Sequence, residues 1–156
     1  TFTGTDCIIR ALPGLCGIYP RAERMEQIRE ITVGMKGEAS TQVERADTAL
    51  EVGSGDLLVF ATPCMAALME GAACEAIAPA LPEGQTSVGT ALQLVHTSAT
   101  PVGLEVRAEA EVTGVAGKVI TFQVTAFDES GEIGCGTHQR VLVHAQRFLE
   151  KAYEKI

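Results

Sequence analysis

Apolar and polar positions alternate with period two over long stretches of the second half of the chain. Between 104 and 115, Leu104, Val106, Ala108, Ala110 and Val112 fall on one face and Glu105, Arg107, Glu109 and Glu111 on the other. That is the mark of a strand with one buried face. Residues 86–97 read the same way, with Val88, Thr90, Leu92, Leu94 and His96 on one face. Ala116-Gly117 predicts a turn into a strand over 118–128, and Glu129-Ser130-Gly131 a turn into another over 133–145. In that last strand His138, Arg140 and His144 share a face with Gly134 and Gly136, which reads as an outward, solvated face. Residues 146–156 predict a short closing helix. Nearer the N-terminus, 28–43 predicts one or two short strands broken at Gly34 and Gly37, and 44–57 is polar and turn-prone.

The segment between these halves has a different pattern. Thr62 suits a helix cap, Pro63 the first helical position, and Pro79 limits the far end. From Cys64 to Ala78 the residues are apolar on nearly every face, so the helix should be wrapped by protein. At this length it is too short to span a bilayer, which takes roughly 20 residues. A strand, a buried helix and then a run of meandering strands make an α+β fold, an antiparallel sheet wrapped around one long helix: the hot dog architecture.

Composition narrows the setting. With 46% apolar and 21% charged residues the chain is globular, and 156 residues suit one domain. We expect a single domain over 25–156 and an N-terminal extension of uncertain origin over 1–24, which lacks the basic and long apolar parts of a signal peptide. A net charge of −8 argues against nucleic-acid and anionic-membrane partners. Five scattered cysteines without metal spacing predict free thiols in a reducing cytoplasm, with no metal and no cofactor.

Three residues carry candidate chemistry. Glu70 sits amid Met, Ala, Leu, Gly and Cys on the apolar helix, where a carboxylate must be neutral, paired or facing a cavity. It is either a structural carboxylate satisfied by a neighbour or a reacting one. Thr62 is either a cap or a hydroxyl beside a helix N-terminus, whose dipole suits an oxygen that develops negative charge. There Pro63 removes one donor and leaves the amides of Cys64 and Met65. His96 ends its strand on an apolar face, as a satisfied core histidine or as a proton carrier.

Read together, ATPCMAALMEGAACEAIAPAL (61–81), SVGTALQLVHTSATPVGL (87–104) and GEIGCGTHQRVLVHAQRF (131–148) resemble the fluoroacetyl-CoA thioesterase-like family of hot dog enzymes, over about 59–151. The resemblance implies a catalytic Thr62, Glu70 and His96, and an acyl-pocket glycine at Gly89. It also implies an arginine at Arg140, expected to reach a phosphate of CoA. Family members specific for the fluorinated substrate carry aromatic residues before the buried helix. Here 45–59 has none, so little preference for fluoroacetyl-CoA is expected.

The resulting expectation is an acyl-CoA thioesterase for a short or medium acyl group. It should act as a homodimer or higher oligomer with composite sites. The alternative is a non-catalytic acyl-CoA-binding module, a sensor or sequestering protein, which would have no need of Glu70. An enoyl-CoA hydratase on the same fold is disfavoured by the lack of a suitable Asp/His pair.

Overall fold

The computed structural model describes residues 30–156; the 1–24 extension and the strand signal at 28–29 fall outside them. Five strands, β1 (Lys36–Gln42), β2 (Gln85–His96), β3 (Glu105–Ala116), β4 (Val119–Asp128) and β5 (Gly131–His144), form one antiparallel sheet in the order β1-β3-β4-β5-β2. A short helix α1 (Ala49–Val52) precedes the long helix α2 (Thr62–Ile77), and α3 (Ala145–Tyr153) closes the chain. The expected meander and helix are present, and Pro79 sits in the 3-10 turn that ends α2.

The core lies between α2 and the sheet's concave face. Met65, Leu68, Met69, Ala72, Ala73, Ala76 and Ile77 pack on Val106, Ala108, Ala110 and Val112 of β3 and Ile120, Phe122, Val124 and Ala126 of β4. Each large apolar side chain here is worth about 1.5–3 kcal/mol of burial, so the alternation read along β3 dictates which way the sheet faces. Strand β1 differs from expectation. Gly34 does break the chain, but Gly37 lies inside one continuous strand. A Cβ there would run into the backbone of Ala72 and Ala76, so this glycine is where strand and helix come closest.

Two further expectations need correcting. Strand β2 does not keep one phase: Gly89 pairs with Arg140 and Ala91 with Gln139, leaving Thr90 as an extra, bulged residue. Ser87 and Gly89 therefore share the helix-facing side with Leu92, Leu94 and His96, while Val88 and Thr90 do not. The last strand is also reversed, because His138 and Arg140 point inward and are buried. Helix α2 itself is not covered all round in the single chain. Pro63, Ala66, Ala67, Glu70 and Cys74 form a partly open stripe along it.

Candidate active site

The N-terminus of α2 is capped by Ala61 without a side-chain bond, so Thr62 is the first helical residue and not the cap. Its hydroxyl is thereby released, and Oγ1 lies 2.8 Å from Nδ1 of His96. Strand β2 ends at His96, beside the start of α2. Of the two amides expected there, that of Met65 donates to the Ala61 carbonyl at 3.0 Å, closing the first turn, and so is taken. Cys64 is buried and disulfide-bonded, against the expectation of free thiols; Cys74 and Cys135 are free.

His96 has its pKa lowered from 6.5, chiefly by burial, with a weaker opposing contribution from the Ser98 backbone. The ring is therefore neutral at pH 7, and Nε2 is buried with no hydrogen-bond partner among the described residues. One nitrogen held by a hydroxyl and one without a partner is the arrangement a proton carrier needs.

Glu70 belongs to a second cluster, two turns further along α2. Its Oε2 accepts from Nη1 of Arg140 at 3.1 Å, and its side chain is 42% exposed. Arg140 is 6% exposed. Its Nε donates to Ser87 Oγ at 2.8 Å, its Nη2 to the Ser87 carbonyl at 3.0 Å, and its Nη1 also lies 3.2 Å from Nε2 of His138. A guanidinium buried and engaged in this way does not reach a phosphate of CoA, and that expectation is withdrawn. Gly89 leaves the space the carboxylate occupies, since a Cβ there would collide with Glu70 Oε2 and lie 3.2 Å from His138 Cε1.

His138 is the residue that pattern reading missed. It is 1% exposed, stacks on Phe122 with ring centroids 6.0 Å apart, and meets the Ala91 carbonyl through Nδ1 at 2.8 Å. Burial, outweighing the opposing Ala91 bond and Glu70 charge, holds its pKa below 6.5. The available signal was its place two residues before Arg140 on one face. Cys74, one turn after Glu70, borders this cluster, and burial raises its thiol pKa above the usual value. The structure thus joins Thr62 with His96, and Glu70 with Gly89 and Arg140, but does not join the two groups by any hydrogen bond. Among the described residues no three His, Cys, Asp or Glu side chains gather as a metal site, and no helix is long and apolar enough to cross a membrane.

Residues 43–146 match the family described as fluoroacetyl-CoA-specific thioesterase. A fluoroacetyl-CoA thioesterase of Streptantibioticus cattleyicolor is 45% identical over 97 residues, 62% of this chain and 70% of that protein. The solved structure of the fluoroacetyl-CoA thioesterase FlK superposes with a TM-score of 0.77 at 36% identity, covering 82% of this chain and 99% of that one. A thioesterase superfamily member from Thermus thermophilus gives 0.71 at 27%, over 82% and 99%. The chain therefore belongs to the fluoroacetyl-CoA-specific thioesterase family and is a thioester hydrolase of the hot dog fold.

Proposed function

We propose that the chain hydrolyses a short or medium acyl-CoA to the free acid and CoA as a homodimer, each of whose sites is assembled from two chains. The observation that carries this is the division of the candidate residues into two groups. Thr62 and Glu70 are eight residues apart on one unbroken helix. That is about 12 Å along the axis and about 80° around it, too far for a shared hydrogen bond within one chain. A twofold axis that lays two α2 helices side by side brings Thr62 of one copy toward Glu70 of the other. The open stripe on α2 supports a second copy, as does the position of β2 at the edge of the sheet.

In such a site the α2 N-terminus polarises the thioester oxygen. Neutral His96 moves a proton between Thr62 and the substrate or water, and the Glu70 carboxylate attacks the carbonyl or takes a proton from water. A module that only bound acyl-CoA would gain nothing from a carboxylate held this way.

The segment 45–59, which precedes α2, carries exposed leucines, Leu50, Leu57 and Leu58, and no aromatic residue. We therefore expect fluoroacetyl-CoA to be preferred over acetyl-CoA by less than about a hundredfold, roughly 2.7 kcal/mol of transition-state binding; measured kcat/KM ratios check it.

Complementation tests the whole reading. Thr62→Ala and Glu70→Gln proteins should each fold yet lose at least about 10²-fold in turnover. Co-expressed, they should recover about a quarter of wild-type activity, because half the dimers are mixed and each of those holds one intact site. No recovery from demonstrably mixed dimers would sink the composite site. Near-normal hydrolysis by folded Glu70→Gln would sink the catalytic assignment.

A further inference from the structure

We infer that His138 is a positioning residue for this hydrolysis: as a neutral ring protonated on Nδ1, it holds the Arg140 guanidinium against Glu70. The inference rests on the proposed role of Glu70 and extends it to a residue that does not meet the substrate.

Hydrogen-bond polarity along the chain of contacts determines the state of the ring. The Ala91 carbonyl can only accept, so the nitrogen 2.8 Å away, Nδ1, carries the proton. Arg140 Nη1 can only donate, so the nitrogen 3.2 Å from it, Nε2, offers a lone pair. The opposite tautomer would set a lone pair against a carbonyl oxygen, and a charged ring would set N–H against N–H. Only one of the three states satisfies both neighbours, and the burial that lowers the pKa favours the same one.

Arg140 Nη1 has two protons. One is directed to His138 Nε2 and the other to Glu70 Oε2 at 3.1 Å. Ser87 holds the far side of the guanidinium through its hydroxyl and its carbonyl. His138 Nε2 itself stands 3.7 Å from Glu70 Oε2, too far for a hydrogen bond and with acceptors on both sides. The ring thus acts on the carboxylate only through the guanidinium. Phe122 fixes the ring plane, and the bulge at Thr90 precedes the carbonyl that fixes its tautomer.

The experiment is a double-mutant cycle with acetyl-CoA as the probe. His138→Leu removes the acceptor and should lower kcat about tenfold or more with KM within about twofold, whereas His138→Gln, whose amide oxygen can take the place of Nε2, should recover most of the loss. In an Arg140→Met background, adding His138→Leu should cost less than about twofold, because the interaction is already gone. Losses that multiply in the double variant, or an unchanged kcat in folded His138→Leu, overturn the inference while leaving hydrolysis at this site standing. A wild type that releases no CoA from any acyl thioester overturns both. Should His138→Leu not fold, nitrogen-15 NMR of the wild-type ring decides. A proton on Nδ1 and none on Nε2 at pH 7 is expected, and the reverse tautomer or a charged ring refutes it.

Discussion

Gly89 and Glu70 show how one missing methyl group places a carboxylate. The atom a Gly89 Cβ would strike is the far end of a flexible side chain, Glu70 Oε2, rather than backbone. Gly89→Ala should therefore fold while swinging the carboxylate away from Arg140, with a modest loss of stability because the methyl also sits 3.2 Å from the buried His138 Cε1 and the buried guanidinium loses its carboxylate. We expect kcat to fall by about 10²-fold with a melting temperature within about 3 °C of wild type, as befits a misplacement of about an ångström at the group proposed to react. A variant that keeps its turnover would show that the carboxylate tolerates displacement. Residues such as these were partly legible in the sequence. Glu70 stood out because a carboxylate in a run of Met, Ala and Leu demands a partner. The partner itself, Arg140, is seventy positions away, and periodicity cannot pair residues at that distance.

At the scale of elements, the same substitution at Gly37 should behave in the opposite way. There the added methyl meets the helix backbone at Ala72 and Ala76, which cannot rotate aside. Gly37→Ala should push β1 off α2 and destabilise the protein by about 1–3 kcal/mol, the usual penalty for overpacking, with little effect on the KM of what remains folded. Urea unfolding with a parallel activity assay would separate the two glycines. The long elements could be read from the sequence, because α2 is bounded by prolines and β3 alternates as far as Val112; α1, inside a stretch read as turns, and the unbroken course of β1 through Gly37 could not. Nor could the faces of β2 and β5. Thr90 looks like any other β-branched strand residue, so the bulge leaves no trace in the pattern. On β5, Ile133, Cys135, Val141 and Val143 make the more apolar set, and alternation alone turns His138 and Arg140 toward solvent.

For the molecule as a whole, the buried His138 and the half-buried His96 set a pH limit. Burial holds the pKa values of both His96 and His138 below 6.5 in the folded chain. Below pH 6.5 the unfolded chain takes up protons that the folded one refuses. Their contribution is therefore present above pH 6.5 and is lost as pH falls through the lowered folded values. The urea midpoint should drop between pH 7.5 and 5.5, and less steeply in His138→Gln; an equal slope in both proteins would mean that His138 does not contribute. The bulge has a further consequence, for which codons the gene can lose. Thr90 is one residue more than the β2–β5 ladder has partners for. Deleting it shortens the chain while Ser87 and Gly89 on one side, and Leu92, Leu94 and His96 on the other, keep their faces. Deleting Gln93 instead would turn every residue on one side of the cut to the wrong face. The first deletion should yield folded protein and the second should not, which thermal melts of the two would reveal.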